Sequence, residues 1–531
     1  MSDVDVIILG GGCAGLCTAI ATRRLGLDVL LLEAAEQLGG GSAHSSGFLW
    51  VGDNHLHRAA GGADSPEAVR AYLRHVAAGG ADAERLEAFA AEAPGALRFF
   101  EAAGIPFRVS PRIDHYGMAP GAIAGGRILD TPPFDVQALG AWEERLVTPA
   151  SPLHRLGGSE AVALGGANRS AAWEEAARLQ RDSPGQRGMG AGLVAWLSWA
   201  ALREGVAIRT SSTAQHLLQE GGRIVGIVTP EGETLHARRG VVLASGGYES
   251  NPELVGRFEA LPGWQSMFPE GLRGDGMVLA QEQGAAVHVI GYNLSVFLGF
   301  RNPEQDPALC RLSGTQELTA PHTIVVNREG QRFADESFFQ AVAPHLRSFD
   351  PRRAVQPNLP CYLIFDAQYG PAQSFAGRPP GAEIPDWVTR APSAEALAAQ
   401  FGIVPEGLAA TLARFNGDAR AGEDREFQRG ATPWGLARLG PAATLGPIEQ
   451  PPFFGIELHP TALASAGLLA DRLGRVMHVR GHRIPGLYAA GNAAARTETG
   501  AGYQTGYSLA SGMTFGLLAA RHMAGSNAAT G

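Results

Sequence analysis

Val4–Gly15 reads VDVIILGGGCAG, and a second apolar run, Asp28–Leu32 (DVLLL), ends at Glu33. Val4–Leu9 is continuously apolar, as a parallel strand buried on both faces must be. Gly10, Gly12 and Gly15 satisfy G-x-G-x-x-G, with Ala14 in the same turn. Leu16–Leu25 then shows apolar residues at helical spacing, and Gly26 stops the run. The order strand, glycine turn, helix, strand and terminal acid makes a βαβ unit, and this context gives the glycine spacing its meaning. Gly10 permits a tight turn, Gly12 lets backbone approach a pyrophosphate, and Gly15 lets helix and strand pack closely. The helix N-terminus offers unpaired N–H groups and positive partial charge to phosphates. Glu33 is placed to accept hydrogen bonds from a ribose diol.

Working outward, three more glycine loops decide between dinucleotides. Gly39-Gly40-Gly41-Ser42 lies just past Glu33, with Ser46 and Gly47 beyond it. Ala244-Ser245-Gly246-Gly247 closes the apolar run Val241–Leu243, and Gly491-Asn492 closes another near the C-terminus. Backbone loops converging from both ends of a chain suit a long, extended cofactor such as FAD. The expected fold is α/β, with a discontinuous Rossmann-type FAD-binding domain (1–274 and 448–531). The rise in aromatic and proline content over 275–447 reads as an inserted α+β capping and substrate domain. Arg223–Thr229 and Thr234–Arg238 read as a hairpin around Pro230-Glu231-Gly232-Glu233. Residues 60–105 and Gly192–Glu204 read as helical, and Ile105 to about Gly190 as loop-rich.

Composition excludes several classes. At 531 residues there is ample core for more than one domain. A net charge of −9 with scattered arginines leaves no basic stripe for nucleic acid. The four cysteines, Cys13, Cys17, Cys310 and Cys361, have no metal-ligand spacing. Cys13 and Cys17 read as small buried residues, and the compartment as reducing. With no apolar run near ~18 residues and no basic leader region, neither a membrane span nor a signal peptide is expected, and a cytoplasmic location is.

Taken together, VIILGGGCAGL with Glu33, GGGSAHSSGFLWV (39–51), VVLASGGYESN (241–251), GDGM (274–277), IVVNREGQRFADES (324–337), YLIFD (362–366), FNGDARAGEDREFQRG (415–430) and IPGLYAAGN through SGMTFG (484–516) resemble one superfamily. It is the flavoprotein superfamily of fumarate reductase, succinate dehydrogenase and the 3-ketosteroid dehydrogenases. The resemblance covers essentially the whole chain. It implies hydride transfer between flavin and a carbon–carbon bond α,β to a carbonyl or carboxylate, with substrate between cap and flavin. By position it implies that Gly10, Gly12, Gly15, Glu33, Gly40, Ser42, Ala214, Gly247, Asn492, Ser508 and Leu509 line FAD; Ala14, Gly41, Ser46, Gly47, Gly246 and Gly491 belong to the same loops. Ser508 and Leu509 begin the last helix, whose N-terminus would stabilise negative charge on reduced flavin. His44 lies closer to Gly47 than a covalently linked histidine would, so the FAD is expected to be non-covalent.

The dicarboxylate enzymes of the superfamily carry an arginine thirteen residues before the last glycine; counting back from Gly516 gives Tyr503. They carry another after an N/D-E pair, whereas Asp335-Glu336-Ser337-Phe338-Phe339-Gln340 has none. Two carboxylates need forked donors, so fumarate and succinate are not expected substrates. SPRIDHYGMAPG, GGRILDTPPFDVQALG and GFLWV instead resemble the ketosteroid dehydrogenases, which use tyrosines as base and as ketone polariser. Tyr503 and Tyr116 lie at or near the matching places, although the tyrosine after N-E-S is replaced by Phe339 or Gln340. The loop through Tyr503 has a length closer to tricarballylate dehydrogenase-like members. His459, in Leu458-His459-Pro460-Thr461, is a further candidate to hold a carbonyl oxygen; His322 either reaches the cleft or serves the strand start, Tyr507 and Arg496 are supporting loop candidates, and Tyr292, Phe297 and Phe300 form an aromatic stretch that either lines an apolar pocket or packs in the core. The expected activity is dehydrogenation next to a ketone, with quinone or oxygen taking the electrons. The reverse ene-reduction and a flavin-bearing electron-transfer subunit remain open alternatives.

Overall fold

The first strand, Val4–Leu9, divides its side chains between two cores. Val6 and Ile8 pack into one, Ile7 and Leu9 into the other, as the two-residue period of a strand requires. The same split recurs at Leu31 against Leu30 and Leu32, and at Val242 against Val241 and Leu243. The first strand pairs in parallel with Val29–Leu32 on one side and Thr234–Leu243 on the other. Ala207–Arg209 extends the sheet beyond the second strand, and Arg483–Ala489 beyond Thr234–Leu243. Strand order therefore reverses at Val4–Leu9, and a ligand in such a sheet lies outside the carboxyl ends at that point. This computed structural model describes residues 3–166, 169–304, 310–312, 317–438 and 441–525.

Helices Cys13–Arg24, Met189–Arg203 and Tyr507–Met523 cover one face of the sheet. The first and last lie in close contact through glycines. A Cβ on Gly512 would sit 3.0 Å from the Ala14 Cβ, and one on Gly516 would sit 2.5 Å from the Thr18 hydroxyl oxygen. The expected hairpin is present: Arg223–Val228 runs antiparallel to the start of Thr234–Leu243, which then continues into the parallel sheet. The stretch read as loop-rich holds an unforeseen helix, Ser170–Asp182. Its Ala172, Trp173, Ala176 and Leu179 form a small separate core with Leu153 and Leu156. The helical spacing was there, but glycine, serine and proline on both flanks hid it.

A second, antiparallel sheet forms the cap. Phe453–Ala462 pairs along its first half with Cys361–Asp366 and along its second with Val296–Arg301; Thr323–Asn327 lies beyond Cys361–Asp366. Both boundaries expected for the cap therefore move. Asp275–Gln281 buries Met277, Leu279 and Ala280 against the cofactor sheet, and Phe453–Ala462 belongs to the cap. Composition changes at 275 and 447, but backbone hydrogen bonding changes sheets later at both. Within the cap, Glu336 accepts from Arg332 at 2.8 Å and lies 3.4 Å from Arg429, and Asp424 accepts from Arg332 at 2.9 Å, all of them buried. Glu336 is thus bound into a fixed ionic lattice, which defines geometry more than it adds stability.

Among the described residues no helix is long and apolar enough to cross a membrane, and no cluster of His, Cys, Asp or Glu has the makings of a metal site.

Candidate active site

Four parallel strands deliver their carboxyl ends to one cavity of about 730 Å³. Leu9 and Gly10, Leu32 and Glu33, Ala244 to Gly247, and Gly491 with Asn492 all line it. Gly12, Ala14, Gly40, Gly41, Ser42, Ser46, Ser508 and Leu509 complete this end. Gly10 has φ +114°, and a Cβ there would meet the Ala244 carbonyl oxygen at 2.4 Å. A Cβ on Gly15 would fall 1.8 Å from the Gly10 carbonyl oxygen, so Gly15 seats the helix on the turn and stays behind the cavity wall. Gly47 packs against Met189 and likewise lies outside the lining. Ala214 packs on the sheet core, while Ser212 and Thr213 reach the cavity in its place.

This end fits an adenine dinucleotide. The helix Cys13–Arg24 has no side-chain cap from Gly12 itself; the Cys13 N–H donates to the Ser42 hydroxyl at 3.1 Å, and the helix N-terminus still turns its positive end to the cavity. Glu33 accepts from the N–H groups of Gly11 at 2.6 Å and Ala35 at 2.9 Å. Burial pushes its carboxyl above the ordinary range, against those hydrogen bonds. The hydroxyls of Ser245 and Ser508 are buried without a protein partner on residues that line the cavity, an arrangement that a bound polar ligand resolves. His44 lines the cavity as well, and burial lowers its pKa.

The other end is built from side chains. Tyr503, Thr505 and Gly506 line it from the loop before the last helix; Phe297, Phe339 and Trp434 come from the cap, and Arg112 from a third loop. The Tyr503 ring lies 5.4 Å from Phe297 and 5.6 Å from Phe339, centroid to centroid. Two polar clamps hold the loops in register. Asp114 is buried and accepts from the Trp50 indole at 2.9 Å, from Arg127 at 2.9 Å and from the Ile123 N–H at 3.1 Å. Gln504 accepts from the His115 N–H at 2.8 Å and from the Tyr72 hydroxyl at 2.6 Å. The His115 ring then bridges Thr505, at 2.8 Å from Nε2, and Gln340, at 2.5 Å from Nδ1.

Tyr116 and Tyr503 are neighbours, the Tyr116 hydroxyl accepting from the Tyr503 N–H at 3.5 Å. Only Tyr503 lines the cavity. Burial raises its pKa, and the guanidinium groups of Arg496 and Arg112 pull the other way. Tyr116 is pushed up to about 12, mainly by burial. Arg496 is buried and outside the lining, donating to Asn293 and Ser295 at 3.2 Å each. His459 stands apart: it lies on the cap strand opposite Gly299, its ring 3.1 Å from the Gly263 carbonyl oxygen, and it is Leu463 further along that reaches the cavity. His322 bonds to the Pro447 carbonyl at 2.7 Å, Tyr507 packs edge-on against Trp50, Phe300 is in the cap core and Tyr292 is largely exposed. Sequence reasoning missed Arg112, Thr505 and Trp434 as cavity-lining residues and His115 as the bridge behind them, and no local pattern marks them.

Comparison with known proteins agrees with this geometry. A 4-oxocyclohexanecarboxylate 2-dehydrogenase from Sinomonas cyclohexanicum is 33% identical over 99% of this chain and 93% of its own length. A 3-oxosteroid 1-dehydrogenase from Mycobacterium tuberculosis is 29% identical, covering 99% of each chain. The crystal structure of 3-ketosteroid delta1-dehydrogenase from Sterolibacterium denitrificans, in complex with 1,4-androstadiene-3,17-dione, superposes with a TM-score of 0.90 at 27% identity, over 99% of this chain and 100% of that one. The family described as the FAD binding domain matches residues 5–513, and the chain belongs to it: it is an FAD-dependent oxidoreductase.

Proposed function

We propose that the protein desaturates the carbon–carbon bond next to a ketone in a cyclic substrate, with Tyr503 taking the α-proton. The observation that carries this reading is the position of Tyr503. It projects into the cavity from the turn before the last helix, facing an apolar wall of Phe297, Phe339 and Trp434. The likeness over full length to ketone dehydrogenases supports the same reaction. When bound, FAD supplies the hydride acceptor.

The residues of the chain divide the remaining work. The aromatic wall excludes water and orients a flat alicyclic ring. Thr505 lines the cavity as Tyr503 does, with its hydroxyl 2.8 Å from the His115 Nε2; in this reading it donates to the ketone oxygen, which acidifies the α-carbon. A phenol of raised pKa is mostly protonated at neutral pH, so the positive charge of Arg496 and Arg112 is what makes its anion accessible. Tyr116 is a positioning residue through its hydroxyl on the Tyr503 N–H. FAD is held without a covalent link, and quinone or oxygen takes the electrons. The free thiols Cys13, Cys17 and Cys361 support a cytoplasmic setting.

The test is anaerobic bleaching of the holoenzyme by a panel of cyclic ketones, 3-ketosteroids and dicarboxylates. Bleaching by ketones alone is expected. Bleaching by succinate would sink the proposal, and rapid reduction only by a donor protein would favour an electron-transfer role.

A further inference from the structure

Arg496 is a buried cation held by neutral groups. Its guanidinium donates to the Asn293 side-chain oxygen and to the Ser295 hydroxyl, at 3.2 Å each. Among the described residues no carboxylate pairs with it. Burial works against its charge, while Glu498, Tyr503, Glu259 and Glu249 favour it. Each of those acids is engaged by another group. Glu498 pairs with Arg85 at 2.9 Å. Glu259 accepts from the Tyr248 hydroxyl at 2.7 Å and the Ser465 N–H at 2.8 Å, and Glu249 accepts from the Ala464 N–H at 3.1 Å. A carboxylate in contact would cancel most of the guanidinium's field, whereas neutral acceptors leave it in place. Tyr503 lies in that field, and Arg496 favours its phenolate more than Arg112 does.

Both acceptors lie where the chain crosses into the cap. Asn293 and Ser295 are buried just ahead of the strand Val296–Arg301. The Asn293 side-chain oxygen also accepts from the Ser295 N–H at 3.0 Å and from the Ser295 hydroxyl at 2.5 Å. Its amide nitrogen donates to the Leu463 carbonyl at 2.9 Å, on the crossing that returns from the cap. Arg347, at the end of the cap helix Phe339–Leu346, donates to the Asn293 carbonyl at 3.0 Å. Between the two acceptors, the Leu294 N–H donates to the Ala501 carbonyl at 3.0 Å, in the loop that carries Tyr503. Phe297, two residues past Ser295, and Leu463 both line the cavity. One piece of backbone thus sets the apolar wall and also the cation behind the phenol. A joint that served only to tie the cap down would be better made by a neutral donor, because burying a charge costs more than the same hydrogen bonds return.

We propose that Asn293 and Ser295 are positioning residues for the reaction: at the entrance to the cap they hold the Arg496 guanidinium, away from any carboxylate, where its charge favours the Tyr503 phenolate. This rests on the reading of Tyr503 as the base. It goes further by naming the groups that make the phenol a base, none of which lines the cavity, and by tying the strength of that base to the seating of the cap.

The experiment measures anaerobic flavin reduction in the holoenzyme by whichever ketone of the panel bleaches the wild type fastest. Ser295→Ala should slow reduction by about threefold to tenfold, the effect of displacing a neighbouring charge. The half-saturating ketone concentration should move by less than about twofold, with FAD content unchanged. Arg496→Gln should slow it by about tenfold to a hundredfold, and Arg496→Lys by less, because the charge returns. The deciding comparison repeats Ser295→Ala in the Tyr503→Phe background. There it should change the residual rate by less than about twofold, since a residue that acts through the base has nothing left to act on. If Ser295→Ala exerts its full factor again in that background, it serves the wall alone, and the inference falls while Tyr503 stands as the base. Equal losses from Arg496→Lys and Arg496→Gln would also overturn it, because charge would then not be what matters. Should Arg496→Gln fail to fold, Ser295→Ala in the two backgrounds still decides. If no ketone bleaches the wild type, or if Tyr503→Phe is bleached at the wild-type rate, the reading of Tyr503 falls first and takes the inference with it.

Discussion

The two ends of the cavity are built by different means. The cofactor end is made of backbone: Gly10, Gly12, Gly40, Gly246 and Gly491 bring main chain to the surface at strand ends. The substrate end is made of side chains from three separate places, Arg112 in one loop, Phe297, Phe339 and Trp434 in the cap, and Tyr503 and Thr505 near the C-terminus. Backbone binds what every member of a fold must bind, whereas side chains on converging loops set what is chemically particular. If that division is right, a substitution at one end should leave the other end working.

The largest effect should come from Tyr503→Phe. Loss of a general base costs about 10²–10⁴-fold, read as the anaerobic rate of flavin reduction, while FAD content stays at one per chain. Loss of FAD together with the rate would break the division between the ends.

The reverse case is Gly15→Ala. A Cβ there lands 1.8 Å from the Gly10 carbonyl oxygen, and overpacking of this kind costs about 1–3 kcal/mol. Thermal unfolding should shift down and FAD occupancy should fall. The FAD that remains should still be reduced by ketone at the wild-type rate.

A smaller, continuous test is pH. Burial raises the Tyr503 phenol above its ordinary value, and a base acts only when deprotonated. The rate of reduction at limiting ketone should therefore climb by about tenfold per pH unit from neutrality, with no plateau below pH 10. Tyr503→Phe should flatten that limb. A plateau near pH 7 would take the proton away from the phenol and assign it to an imidazole.

The smallest effect is expected from Glu33→Gln. Gly11 and Ala35 donate to different oxygens of Glu33, so the amide keeps one of the two bonds and turns its NH2 toward the other N–H. FAD affinity should drop by about tenfold, with the reduction rate unchanged.

The same contrast explains how far the sequence could be read. Gly10, Gly12, Gly15 and Glu33 were legible because strand, turn and helix are local and each constrains the next. Tyr503 was proposed only by resemblance, since nothing in GYQTGYSLASG marks a base; what the folded chain adds is that it lines the cavity. Arg112 and Trp434 carry no local signal at all; only the folded chain shows that they share a space with Phe48. His459 failed because strand geometry turned its ring toward Gly263. The cap boundaries failed because Phe453–Ala462 is apolar enough for an inner strand of either sheet, and only its hydrogen-bonding partners choose. Ser170–Asp182 failed because its flanks resemble loop.

The contact between the first helix and the last sets a constraint on synthesis. The turn Gly10–Gly15 emerges from the ribosome nearly five hundred residues before Ser508 and Leu509, which complete the same pocket. At roughly 5–20 residues per second, the nascent βαβ unit waits on the order of half a minute to a minute and a half for its far wall. FAD capture must therefore be a late event, and the fraction of chains carrying flavin should report how much of the synthesised protein reached the end of the last helix.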